Sequence, residues 1–337
     1  RLQRYATDAL MRSRKTPFSR AAPTGKRIAV VGAGPAGLAC AHKLAELGHE
    51  VVLLEARDRL GGLNEYGIAA YKTVDDFAQE EVAFVLSIGG IEVRTGQRLG
   101  DNLDLGRLRQ DYDAVFLGIG LTGVNKLRLA GEGRLAGVRD AVDFIAELRQ
   151  AKDLSMLTVG RRVVVVGGGM TAIDAAVQSK RLGAEEVTIV YRRGEAEMKA
   201  SLYERELARG DGVLIRHYAA PKELEAGGGR VIGIVLERME QKDGVLAATG
   251  ETMRLEADMV LTAIGQILVP DAFGGARTLE LEGGRLRVDA ERRSSLQGVW
   301  AGGDCVFGGK DLTVSAVEDG KQAALSIDRA LAADRAA

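Results

Sequence analysis

The stretch "GRRVVVVGGGMTAIDAAVQ", residues 160–178, decides the fold. Its four valines, Val163 to Val166, are short, apolar and β-branched, and glycine stops them, so they read as a buried strand. Gly167, Gly169 and Ala172 then follow G-x-G-x-x-A spacing and lead into an alanine-rich helix over 170–182. A strand, a tight glycine turn and a helix whose first amides are unpaired make a cradle for a pyrophosphate.

Working outward, the same pattern stands earlier in the chain. "KRIAVVGAGPAGLACAHKLAELG", residues 26–48, carries Gly32, Gly34 and Gly37 in G-x-G-x-x-G spacing, with Pro35 and Ala36 inside the turn. Gly32 allows the turn, Gly34 lets backbone approach a phosphate, and Gly37 lets the helix lie close to the strand. The two loops are 135 residues apart (Gly32 to Gly167), too far for solenoid repeats. The chain therefore winds the same unit twice.

The remaining elements fit two such windings. Strands are expected at 27–32, 50–55, 112–120, 161–166 and 186–191. Helices are expected at 35–47, 74–89, 140–150, 170–182, 203–210 and 313–333. "GVLIRHY", "RVIGIVLERME" and "TMRLEADMVLTAIG" make a β-rich part between them. Alternating strands and helices imply parallel sheets covered on both faces, an α/β class with two doubly wound domains.

Composition limits the function. The 337 residues carry 46 basic and 47 acidic side chains, a net charge of −1, and 46% are hydrophobic. That balance argues against a nucleic-acid or membrane-surface partner. No apolar run suits a membrane span, and the first residues lack the apolar core of a secretory signal. Two cysteines, Cys40 and Cys305, are too few for a disulfide framework and point to a reducing, cytoplasmic setting. They cannot form Cys-x-x-Cys, so disulfide reduction is not expected. His42, His49 and His217 are scattered and suggest no metal site.

The ends of the second strands differ between the windings. "EVVLLE" closes on Glu55, the expected place for a carboxylate that grips ribose hydroxyls, followed by Ala56, Arg57, and Gly61, Gly62 and Leu63. "EVTIVY" closes on Tyr191, and Arg192, Arg193 and then Lys199 follow. Without a carboxylate, guanidinium groups there can take a 2′-phosphate through charge-assisted hydrogen bonds. NADPH is thus favoured over NADH. "GIGLTG" (118–123, with Gly120) and "AIGQ" (263–266, with Ala263, Ile264 and Gly265) present bare backbone after apolar strands and read as chain crossings between the domains. Late in the chain, "GVWAGGD" places Gly303 and Asp304 after a strand, and Thr313 and Val314 open the last helix. That helix N-terminus suits negative charge on a reduced ring; a plain N-cap threonine is the other reading.

Glycine loop, acidic strand end and late Gly-Asp together resemble the two-dinucleotide-binding flavoproteins, which implies FAD at Gly32, Gly34, Gly37, Glu55 and Asp304. "RLQRYATDAL", "GAGPAGLACAHKLAELGHEV", "EARDRLGGLNEYGIAAYKT", "GIGLTGVNK", "GGGMTAIDAAVQSKRLGAEEVTIVYRRG" and "AGGDCVFGGKDLTVSAVEDGKQAA" resemble more narrowly the FAD/NAD(P)H part of dihydropyrimidine dehydrogenase. The glutamate synthase small subunit shares most of these motifs. The resemblance implies that NAD(P)H reduces FAD and that electrons pass through iron–sulfur clusters, held in a preceding module or a partner, to an FMN-containing catalytic subunit that reduces uracil or thymine. It also implies that Lys72 lies near FAD, that Gly168, Met170 and Thr171 line the NADPH pyrophosphate loop, and that 263–265 contact the nicotinamide side. Met170 stands where many relatives have Asp, and Ala69 where they have Pro. The expected domains are an N-terminal helix and linker (1–24), an FAD domain (25–128 plus 285–337) and an NAD(P)H domain (129–284), with flavin and nicotinamide meeting at their seam. A stand-alone flavin reductase or monooxygenase, and a nucleotide sensor without redox work, are the rival readings.

Overall fold

The apolar runs around each glycine loop form the middles of two parallel sheets. The computed structural model describes residues 2–13, 15–273 and 279–336. It divides into two compact units, one of residues 1–65, 73–123 and 267–337, the other of residues 66–72 and 124–266.

In the first unit, five parallel strands lie in the order Val299–Ala301, Ala114–Leu117, Arg27–Val31, Glu50–Leu54 and Ile91–Arg94. Alternation along Arg27–Val31 sends Ile28 and Val30 to one core and Ala29 and Val31 to another. Both faces are thus covered, as parallel sheets require. The helices Pro35–Glu46 and Thr313–Ala336 pack closely on one face. Gly320 permits this, because a Cβ there would lie 2.0 Å from the Ala36 carbonyl oxygen. Trp300 is buried and its indole N–H donates to Ser326 at 3.0 Å.

The second unit repeats the plan. Its parallel strands run Val138–Asp140, Met259–Thr262, Arg162–Val166, Glu186–Val190 and Leu214–Arg216. Val163 and Val165 face one core, Val164 and Val166 the other. An antiparallel sheet of Ala219–Gly227, Arg230–Lys242 and Val245–Glu256 is added to this unit. In each sheet the strand bearing the glycine loop has a neighbour on either side that follows it in the chain. Each loop therefore sits where the winding reverses, the point at which such sheets bind ligands.

Boundaries differ from those read in the sequence. Residues 124–128 belong to the second unit, because Leu127 packs on its core. Residues 267–284 belong to the first, where Leu268, Phe273, Leu279 and Leu281 pack; 274–278 of that span lie outside the described residues. Residues 66–72, expected in the FAD domain, join the second unit through Ala70 and Tyr71. The N-terminal helix runs Leu2–Arg12, with Arg1 and Arg14 of the expected 1–24 segment outside the described residues. The long stretch "TMRLEADMVLTAIG" splits at Ala257–Asp258 into strands of two different sheets. Among the described residues, no helix is long and apolar enough to cross a membrane.

Candidate functional site

In the first unit the glycine turn is fixed by close backbone approach. Gly32 has φ +94°, and a Cβ on it would lie 2.4 Å from the Gly118 carbonyl oxygen. A Cβ on Gly37 would lie 1.8 Å from the Gly32 oxygen, so any side chain there must push the helix away. Gly62, at φ +54°, rests on Gly34; its Cβ would be 2.7 Å from the Gly34 Cα. The 61–62 turn thus closes over Gly34 and Pro35, and the Gly61 amide donates to the Ala33 carbonyl at 2.8 Å.

Glu55 is buried at the end of its strand. Its Oε2 accepts from the Ala33 amide at 2.7 Å and its Oε1 from the Arg57 amide at 2.9 Å. Two backbone donors therefore aim the carboxylate, and its remaining lone pairs are left for hydroxyl donors. Ala36 is buried inside the first helical turn, Ala56 is half-buried, and Arg57 and Leu63 are exposed on the same loop. Gly120, at φ +62°, ends the strand Ala114–Leu117 through the turn 118–120.

At the C-terminal end of the edge strand Val299–Ala301, Gly303 has φ +80° and its amide donates to Asp319 Oδ2 at 3.0 Å. Asp319 also pairs with Arg292 at 2.6 Å. The Gly303–Asp304 turn is thereby held from below. Asp304 is half-buried; burial pushes its carboxyl above the ordinary value, Asp311 adds to the rise, and Arg285 opposes it. Thr313 and Val314 are exposed at the start of the last helix, and the Thr313 hydroxyl donates to Asn64 at 3.1 Å.

In the second unit Gly167 has φ +151°, and a Cβ would lie 2.3 Å from the Ala263 carbonyl oxygen. Gly168 lies against the Tyr191 ring, only 2.5 Å from where its Cβ would be. Gly169 caps the helix Met170–Arg181, Met170 is exposed at its first position, Thr171 is half-buried, and Ala172 is fully buried. Ala263, Ile264 and Gly265 end the strand Met259–Thr262; Asn125 donates its side-chain amide to the Ile264 and Gly265 carbonyls at 3.3 Å each.

Tyr191 stands where an acidic residue would face a ribose. Its hydroxyl is turned away, donating to the Glu197 carbonyl at 2.8 Å. Arg192, Arg193 and Lys199 are exposed, and none has an ion-pair partner among the described residues. The turn that carries them is braced. The Tyr218 amide donates to the Arg193 carbonyl at 3.1 Å, and Arg209 pairs with Glu195 at 2.8 Å. Free cations on a fixed turn suit a dianionic group.

Two sets of contacts are not marked in the sequence. Lys72, expected near FAD, gives its ammonium to Asp174 and Glu204 of the second unit, at 2.6 Å each. No pattern in the sequence marked those carboxylates as its partners. Thr24, His49 and Asp328 also come together, with His49 Nδ1 2.7 Å from the Thr24 hydroxyl and Nε2 3.1 Å from Asp328. The ring is fully buried, so this chain of contacts ties the 21–24 linker to the core. Cys40 and Cys305 are buried apart, and burial raises both thiols, Cys305 to about 12.

Comparison with known proteins gives consistent neighbours. The chain is 35% identical over 320 residues to the NADP(+)-dependent formate dehydrogenase subunit beta of Moorella thermoacetica, covering 92% of this chain and 45% of that one. It is 34% identical over 346 residues to the glutamate synthase (NADPH) small chain of Escherichia coli, covering 96% and 72%. The chain thus spans about half of the first relative and nearly three quarters of the second. Among solved structures, FprA of Mycobacterium tuberculosis in complex with NADPH superposes with a TM-score of 0.75 at 22% identity, covering 92% of this chain and 85% of that one. Thioredoxin reductase of T. acidophilum gives 0.68 at 22%, covering 90% and 98%. The fold is therefore that of the two-dinucleotide-binding flavoproteins. With the description "Pyridine nucleotide-disulphide oxidoreductase" matching residues 26–320, both glycine loops included, the chain belongs to that family.

Proposed function

We propose that this chain is an electron-entry module. It takes hydride from NADPH, and less readily from NADH, onto FAD and hands the electrons to a partner. FAD would lie on Gly32, Gly34, Gly37, Glu55 and the Gly303–Asp304 turn of the first unit. NADPH would lie on Gly167–Ala172 of the second, its 2′-phosphate on Arg192, Arg193 and Lys199. FAD, when bound, supplies an acceptor that takes two electrons and gives them up singly. The chain's own residues orient, bind and exclude; no side chain is needed to move a proton, since hydride transfer depends on proximity.

The observation that carries this reading is the set of three unpaired cations on a braced turn beside the second loop. Glu55, aimed by two amides, supports a different dinucleotide on the first. The quoted motifs support a dihydropyrimidine dehydrogenase-type setting, with iron–sulfur clusters beyond this stretch and an FMN-containing partner. A glutamate synthase-like donor is the second reading, favoured by the match to 72% of that small chain. We place either in the cytoplasm.

Anaerobic titration of the FAD-loaded chain with NADPH and with NADH tests the donor. Bleaching of the flavin band by NADPH at lower concentration than NADH is the expected result. No bleaching by either would sink the reading. Rapid turnover with oxygen would instead indicate a self-contained flavin reductase.

A further inference from the structure

Residues 66–72 form a strap. The chain leaves the first unit after Glu65, packs within the second, and returns at Thr73. Buried side chains of the second unit receive it. Asp174 accepts from the Ala69 amide at 3.3 Å and from the Tyr71 hydroxyl at 3.0 Å, and pairs with Lys72 at 2.6 Å. Gln178 Oε1 accepts from the Ala70 amide at 3.1 Å. Glu204, which also completes a capping box with Ser201, pairs with Lys72 at 2.6 Å. The Arg181 guanidinium lies over the Tyr71 ring at 4.4 Å. Asp174 and Gln178 are each 4% exposed and Glu204 8%.

Among the described residues, every donor to the Asp174 carboxylate comes from the strap. A buried carboxylate beside Ile173, Ala175, Ala176 and Val177 is costly unless something satisfies it. Its position is also specific. Asp174 lies about one turn beyond Met170, where the helix begins at the second glycine loop. The strap's other end continues from Glu65, which pairs with Arg59 at 3.1 Å and accepts from Gln79 at 2.9 Å. Three residues before Glu65, Gly62 rests on Gly34 of the first loop.

We infer that the strap is a tether that carries the state of the second glycine loop to the first, with Asp174 as its positioning residue. A dinucleotide drawing on the N-terminus of helix Met170–Arg181 moves Asp174 with that helix. Asp174 holds Ala69, Tyr71 and Lys72, and the chain transmits the shift to the Gly61–Gly62 turn. The inference rests on the two-dinucleotide reading above and adds a coupling between the sites.

Hydrogen exchange on the full FAD-loaded chain tests it, with and without NADP+, in wild type, Asp174→Ala, Lys72→Met and Lys72→Arg. In wild type NADP+ slows exchange in 167–172 and also in 59–65. In Asp174→Ala and Lys72→Met, exchange across 67–73 rises about tenfold, and the protection of 59–65 is lost while that of 167–172 remains. Bleaching by NADPH slows about tenfold at unchanged FAD content and NADP+ affinity, and Lys72→Arg behaves as wild type. Protection of 59–65 that survives in both loosened variants overturns the tether. Unchanged exchange across 67–73 overturns the lock. Loss of 59–65 protection in the variants, in a chain that NADPH never bleaches, upholds the tether and removes the donor assignment. Absence of NADP+ protection at 167–172 in wild type overturns both.

Discussion

Set side by side, the two glycine loops share a frame and part company where the next strand ends. In the first unit that strand closes on Glu55, whose oxygens are fixed by the Ala33 and Arg57 amides. In the second it closes on Tyr191, whose hydroxyl turns back to Glu197 and leaves Arg192 and Arg193 to the solvent. The sixth loop position differs too: Gly37 leaves no room for a methyl group, whereas Ala172 holds one in full burial. The glycines make a place for a pyrophosphate in either unit. On the function proposed above, charge at the end of the next strand, some twenty residues later, selects the dinucleotide.

The sharpest way to break this comparison is at the sixth loop position. Gly37→Ala should destabilise the first unit by about 2–3 kcal/mol through overpacking, and empty it of FAD. Ala172→Gly should cost only about 1 kcal/mol, the helix-propensity difference. Denaturant midpoints and flavin content would show both, and equal effects would remove the asymmetry.

Next in size is the strand end. Arg192→Ala with Arg193→Ala should raise the KM for NADPH about 10- to 100-fold, the worth of one or two charge-assisted hydrogen bonds, and change that for NADH little. Steady-state kinetics with each donor reads it directly. Equal weakening of both would detach these arginines from the 2′-phosphate.

A smaller effect concerns Asp304. Its carboxyl is raised by burial and then by Asp311, so the folded chain binds that proton more tightly than the unfolded one. The ionised group therefore costs stability at neutral pH, and the cost fades as pH falls through its raised value. Asp304→Asn should raise the unfolding midpoint of the FAD-free chain at pH 7, lose that advantage in acid, and weaken FAD retention. A lowered midpoint at pH 7 would contradict the assignment.

The smallest effect is in the strap. Burial works against charge on Lys72, but hydrogen bonds to Asp174 and Glu204 outweigh it and raise its pKa. Burial likewise opposes charge on Glu204, but Lys72 and the Ser201 amide outweigh it and lower the value. Tyr71, facing Asp174, Arg181 and Glu204, stays a neutral donor, its pKa pushed up by burial first. Glu204 therefore adds stability above its unfolded pKa of about 4.3 and loses it as pH falls through the lower folded value. Lys72 adds stability below about 10.4 and loses it only as pH rises through its higher folded value. The gap in unfolding midpoint between wild type and Lys72→Met should be flat between these limits and close in acid. A gap independent of pH would show packing alone.

The two windings were legible because buried parallel strands are continuous apolar runs: Ile28–Val31 and Val163–Val166 have no second reading beside a glycine turn. Strands without that signature escaped. Ile91–Arg94 is an edge strand with three exposed residues. Ala219–Gly227 carries Pro221 and charges, and its register shifts at Pro221/Glu223. The front of Val245–Glu256, Val-Leu-Ala-Ala-Thr, shows no alternation and runs into Gly250 at φ +84°. Site residues on the glycine loops were readable because their chemistry is local. Lys72 was not, since its partners lie in helices more than a hundred residues away and nothing in "GIAAYKT" points to them.

The close seat of helix Thr313–Ala336 against Pro35–Glu46 has a consequence for synthesis. The first unit lacks both its edge strand Val299–Ala301 and that helix until residues 299–336 have been made. Everything the second unit needs has emerged by residue 266. The unit begun later should thus be the one completed earlier, and the first glycine loop must wait, half-built, for residues about 270 positions further on.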